Sequence, residues 1–470
     1  MSKRITQETF DAAVRENMEE FEMDAAGALN DAVKQFQSQG VRLDNIVQDA
    51  TQIRGCGDGA ETKQPVIEAI EQLKQGLDVD DEIQIKRSCS LIETECDIDL
   101  PHRCLAGANK AYDVLFDCCK KFYDARNDES IVVCLRTLNS LLNGQPDLID
   151  GQGVIFFAKL LDSRMDDREI VLNVIAFIRK TCTMHEENRQ GFVGQHIIQS
   201  LMTVLSEYRA RDGDIVKEVC LMLQTLTLDD DVRVPFGRAH EHAKLIVTET
   251  NALKMLLEIS RDYSSNNAVQ GELFKTLGKL SVRNEFCQEI MDLGGIEFVL
   301  KALENNLNSQ SIVHQIMCLL KALAGNDNVK VAIVKRDGFA LILTALTKHM
   351  AHAAICEMCC ICIAVIILRQ PDLCHRFFAE GGPSLVLQAM KVHRTSVPVQ
   401  KQGCMAIRNL VSRTKEYINP LLELGAEEII RWSYTQHTAC KDEAKAALRD
   451  LGCNVELKEL WTGEKTKMSR

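Results

Sequence analysis

The chain has 470 residues, 46% of them hydrophobic, with only 8 prolines and 5% aromatics. That exceeds the roughly 250–300 residues one compact core accommodates and predicts several domains or one elongated array of repeats, while the composition tells against a β-sandwich or barrel. A net charge of −12 disfavours general binding to nucleic acid or to anionic membrane, both of which need a basic surface.

Residues 1–47 open the chain with a predicted pair of amphipathic helices between Thr6 and Gln39. Thr6 stands as a cap, and Phe10, Val14 and Met18 recur at helical spacing. The start carries no apolar signal-peptide core. Residues 48–64 hold three glycines and no apolar period, so they read as a flexible linker. With that reach, the amphipathic N-terminal segment is a candidate to lie back in a groove of its own chain. Residues 65–100 resume a helical pattern as a degenerate first repeat or cap, because terminal repeats are atypical. Residues 463–470 read as a disordered tail.

Between 101 and 462 the dominant signal is a repeat. A glycine follows one apolar helix and precedes the next at Gly294, Gly338, Gly382 and Gly425, in steps of 44, 44 and 43 residues; Gly107, Gly153 and Gly194 read as earlier members. Apolar stripes run at helical spacing, as in Ile296, Val299, Leu300 and Leu303, then Ile312, Ile316, Leu319 and Leu323. A period of about 40–47 residues holding two or three helices is the armadillo or HEAT signature, in which stacked neighbours complete one another's core. The predicted fold is therefore an all-α, armadillo/HEAT-type right-handed solenoid behind a separate N-terminal helical segment. The period breaks once, at an insertion near 229–250, with Asn251 where a glycine is missing.

Several segments carry a stronger likeness. Segments 2–17, 233–237 (Arg233, Val234, Pro235, Phe236, Gly237), 283–288 and 444–463 resemble the family of armadillo repeat-containing protein six, over nearly the whole chain. The resemblance implies an armadillo fold and no catalytic activity, and it names no specific molecular function.

The residues themselves offer three places for function. In the third helix of each repeat a basic or polar residue, a small or polar one and a leucine recur. Arg136, Lys275, Lys321, Arg408 and Arg449 would form a basic stripe for an extended acidic or phosphorylated peptide. Asn409 stands where better-known armadillo proteins hold a partner's backbone, since an amide both donates and accepts. Thr137, Thr225, Thr276, Ala322 and Asp450 occupy the equivalent positions, and the tryptophans of a nuclear-import receptor are missing. The second place is the 229–242 insertion, where Asp230, Arg233, His240 and His242 are candidate partner contacts; Asp231 is a candidate cap for the segment after it. The third is a metal or redox alternative using the 229–242 loop or the cysteines of 356–362. Against it, a metal site needs three or four converging ligands, and these cysteines lie in the most apolar helix of the chain.

No Gly-x-x-x-x-Gly-Lys-Ser/Thr, Gly-x-Ser-x-Gly or His-Glu-x-x-His motif occurs. The sequence therefore predicts a protein-interaction scaffold without catalysis or cofactor. It reads as a monomer whose 19 cysteines suit a reducing compartment, the cytoplasm and also the nucleus.

Overall fold

The computed structural model describes residues 3–49 and 64–455. Most of the expected linker and the whole expected tail lie outside them. The chain divides into two compact units, residues 1–246 and 247–470.

The first unit begins with a small module. Helix Gln7–Glu20 is capped by Thr6, whose hydroxyl accepts from the Thr9 N–H at 3.2 Å. Helix Ala25–Ser38 is capped by Asp24, which accepts from the Gly27 N–H at 2.7 Å. Their apolar faces meet in a private core of Phe10, Val14, Ala28 and Ala32, closed by Val41, Leu43 and Ile46. Two-residue strands, Lys3–Arg4 and Val41–Arg42, pair in parallel. The Gln7 side chain donates to the Val47 carbonyl at 2.9 Å and accepts from its N–H at 2.8 Å. The apolar face that suggested a groove-binding segment is thus occupied within the module, which corrects that expectation.

The rest of the unit stacks helical repeats. Helices Glu82–Ile98, Asp128–Leu141, Arg168–Cys182 and Gly213–Leu226 each pack on the next and form the continuous core that a single repeat lacks. The second unit repeats the arrangement with helices Asn267–Leu280, Gln310–Leu323, Ala353–Ile367, Val397–Val411 and Lys441–Asp450. In this unit the second helix of successive repeats starts at 295, 338, 382 and 426, in steps of 43, 44 and 44 residues. No described helix is long and apolar enough to cross a membrane.

Most second helices are entered through a left-handed residue, although Gly151–Ser163 and Ala252–Asp262 are not, and the sequence pattern placed this turn only partly. The left-handed residue is glycine at Gly294, Gly381 and Gly425, but it is Asp337, His196 and Lys110 in other repeats. Gly338 lies one residue past its turn. It is glycine because a Cβ there would meet Ile333 Cγ2 at 2.4 Å and the Ile333 carbonyl at 2.6 Å. Gly107 and Gly194 lie inside helices Leu100–Ala108 and Glu186–Gly194, and Gly153 lies in the first turn of Gly151–Ser163, which corrects their reading as turn residues.

Candidate interaction sites

The third helices expose one row of side chains per repeat, because the remaining faces pack on neighbours. In the first unit the cations of this row are matched. Arg136 pairs with Glu93 at 3.1 Å across to the preceding third helix, and Arg179 pairs with Glu218 of the following one. In the second unit Lys401 pairs with Glu443 at 3.0 Å, but the other cations of the row are less closely matched. Lys275 reaches Glu272 only at 3.7 Å. Lys321 is exposed and makes no ion pair among the described residues. Arg408 and Arg449 share the single carboxylate of Asp450, at 3.4 and 2.9 Å.

Asn409 is half-buried, and one of its amide hydrogens is committed inside the protein: Nδ2 donates to the Ala364 carbonyl of the preceding third helix at 2.9 Å. Thr137 does the same in its repeat, donating to the Cys89 carbonyl at 3.1 Å. At Thr137 and Asn409 this position ties neighbouring repeats together, whereas Thr225 and Thr276 donate to carbonyls of their own helices, Leu221 and Glu272.

The 229–238 insertion is the second site. Helix Gly213–Leu226 ends before it, helix Ala239–Thr248 begins after it, and the intervening chain is irregular. It is latched onto helix Glu186–Gly194 by a buried lattice of charge. Arg189 is fully buried. Its Nε donates to Glu186 Oε2 at 2.9 Å, and its Nη1 donates to Asp230 Oδ1 at 2.6 Å and to the Cys182 carbonyl at 3.1 Å. Glu186, 1% exposed, also accepts from Gln190 at 2.9 Å and from the backbone N–H of Arg238 at 2.8 Å. Burial pushes the Glu186 carboxyl up, but these donors outweigh it and hold it below the usual range.

Asp231 caps backwards along the chain. Its Oδ2 accepts the N–H of Glu186, the first residue of a helix 45 positions earlier, at 2.9 Å. An anion suits that electropositive helix start, where His185 Nδ1 also accepts the Asn188 N–H at 3.2 Å. Asp231 also caps the segment after it, as expected, with Oδ1 accepting the Arg233 N–H at 3.1 Å. Arg233 closes the lattice from outside, reaching Asp231 at 2.8 Å, Asp147 at 2.6 Å and the Met184 carbonyl at 3.2 Å. The Arg233 guanidinium holds the Asp231 carboxyl well below the usual range. At Asp147 burial acts upward and the Arg233 bond prevails, so that carboxyl also titrates low.

Two predicted contacts separate here. His240 is exposed. His242 is 2% exposed, with Nδ1 2.9 Å from the Leu226 carbonyl; it belongs to the packing of its helix and does not face a partner, which corrects that assignment.

With both sites laid out, the comparisons with known proteins decide the family. The ARMC6 family model matches residues 66–469, and the Armadillo repeat-containing protein 6 N-terminal domain model matches residues 2–65. The chain belongs to the armadillo repeat-containing protein 6 family. It is 39% identical to "Armadillo repeat-containing protein 6" of Homo sapiens, over 100% of this chain and 95% of that one. It is 34% identical to the Drosophila melanogaster homolog over 99% of each. Among solved structures, an engineered protein superposes with a TM-score of 0.68 at 18% identity, covering 95% of this chain and 99% of that one. A chain solved in work on a phosphorylation switch controlling the interaction between cadherin and beta-catenin gives 0.53 at 13% identity, covering 95% and 90%. At such identities these likenesses establish the fold, an all-α armadillo solenoid.

In this family member the cysteines of 356–362 are core residues. Cys356, Cys359, Cys360 and Cys362 are buried in helix Ala353–Ile367, where burial pushes the Cys356 thiol up to about 11 and the others higher. Cys362 donates its S–H to the Met317 carbonyl at 3.0 Å. Among the described residues no three His, Cys, Asp or Glu side chains converge to hold a metal ion, so the metal alternative finds no support. Sequence reasoning missed a second gathering, in which the Cys134 thiol meets those of Cys89, Cys118 and Cys119. They come from three different helices, so no spacing along the chain could reveal it. Sequence reasoning also passed over Arg189, because an arginine in a polar stretch reads as surface.

Proposed function

We propose that the chain is a non-catalytic interaction scaffold that holds an extended acidic segment of another protein along the third helices of its second unit. The observation that carries this reading is the uneven charge of the exposed row: matched pairs in the first unit, and in the second an unpaired Lys321 with two arginines sharing Asp450. Between Lys321 and Arg408, helix Ala353–Ile367 exposes part of Ile361 and Val365. The favoured ligand therefore alternates acidic residues with an apolar one. Asn409 would meet its backbone. On this reading the chain works as a monomer in the cytoplasm or nucleus, compartments in which its free buried thiols persist.

The test is a titration of fluorescein-labelled peptides that alternate Glu and Leu. The wild type should bind them with an affinity that weakens as salt rises. The Lys321→Glu/Arg408→Glu variant should bind at least about tenfold more weakly, since one buried or half-buried charge contact is worth about that much. Equal affinity of the two proteins contradicts the reading.

A further inference from the structure

The charge lattice at the 229–238 insertion is costly to build, and the insertion holds large apolar side chains in water between its exposed charges. Phe236 is 89% exposed and Val232 91% exposed. Met184 is 55% exposed and adopts a left-handed backbone at φ 54°, a conformation unfavourable for a non-glycine residue. The insertion itself holds Met184 there: Arg233 donates to its carbonyl at 3.2 Å, and Asp230 accepts its N–H at 3.4 Å. The far end of the loop is pinned by Gly237, whose N–H donates to Asp229 at 3.2 Å, and by the Arg238 N–H on Glu186. A loop needed only to join two helices has no use for a fully buried arginine beneath it or for large apolar side chains in water on top. Rigid apolar anchors on a fixed base are what a protein-binding hot spot requires, because little conformational freedom is lost on docking.

We propose that Phe236, Val232 and Met184 form a second docking surface, independent of the third-helix row, for a folded partner protein that offers an apolar pocket with a basic rim. The charge beneath the patch sets the rim. Asp147, Glu186, Asp230 and Asp231 bring four negative charges, and Arg189 and Arg233 return two, so the base is acidic. An acidic base repels an anionic membrane and another copy of the same patch, and it attracts lysine or arginine around the pocket.

The test uses the full chain with a photo-crosslinking benzoylphenylalanine in place of Phe236, irradiated in cells. The crosslinked protein is then purified and titrated against wild type, Val232→Ser/Phe236→Ser and Lys321→Glu/Arg408→Glu. The expected result is a crosslink within an apolar pocket flanked by Lys or Arg. Affinity should fall by at least about tenfold for Val232→Ser/Phe236→Ser, as for loss of an interface anchor, and stay unchanged for Lys321→Glu/Arg408→Glu. The two serine substitutions lie on exposed positions, and an unchanged circular dichroism spectrum shows that they leave the fold intact. Crosslinks to lipid, to a second copy or to an acidic surface overturn the proposal, as does undiminished affinity of the serine variant. Loss of affinity in the charge-reversed variant alone would return the contact to the third-helix row.

Discussion

Replacing Arg189 with methionine removes the one cation that sits wholly inside the insertion lattice while keeping most of its volume. Glu186 is then left 1% exposed with no counter-charge, and Asp230, its carboxylate 30% exposed, loses its shortest partner. Breaking a buried pair by removing one member costs about 3–5 kcal/mol, because an uncompensated charge remains. Asp230 can take up water, which places the expected loss toward the lower figure. A cost of about 3 kcal/mol raises the open fraction of the loop by roughly a hundredfold. Hydrogen exchange read peptide by peptide should therefore show faster exchange at 184–194 and 229–238, while helices Gln310–Leu323 and Val397–Val411 keep wild-type protection. Adding Glu186→Gln should restore part of the loss, since it removes the stranded charge. Unchanged exchange at 184–194 in Arg189→Met would refute the lattice as the loop's anchor.

Acid should release the same loop. Glu186, Asp147 and Asp231 all titrate below their ordinary values in the folded chain. Their stabilisation is therefore complete above the unfolded values and lost as pH falls through the folded ones; protection at 229–238, taken relative to the intrinsic exchange rate at each pH, should stay level from pH 7 to about 5 and fall below about pH 4. Gly338→Ala should lower stability by about 1–3 kcal/mol, seen as an earlier denaturation midpoint by circular dichroism, because the new methyl meets the Ile333 carbonyl. Thiol titration at neutral pH should label the half-buried Cys104, Cys318 and Cys453 before Cys359, Cys360 and Cys362, which should react only after denaturation; rapid native labelling of Cys360 would contradict its burial.

The repeat was legible because stacking imposes a fixed period on apolar residues, and the helices at Gly295–Asn305 and Gln310–Leu323 follow the stripes read from Ile296 and Ile312. The turns were less legible. Their left-handed position accepts Asp337 or His196 as well as glycine, and the nearby glycines answer to packing. The insertion showed as a break in period and a cluster of acids, but not as a latch. Its partners, Asp147 and Arg189, sit 86 and 41 residues before Arg233 and Asp230, a separation that no local pattern encodes. The two helices of the N-terminal module and the Thr6 cap were legible, but its strands escaped because they are two residues long, too short to show alternation.

The central claim is that the third-helix row of the second unit is where a partner binds, and paired affinity capture from cells tests it most directly. One bait is the wild-type chain; the other carries Lys321→Glu, Arg408→Glu and Asn409→Ala, with its fold checked by circular dichroism. The account predicts that partners presenting acidic segments are captured by the first and lost from the second. An identical set of partners on both baits would contradict it.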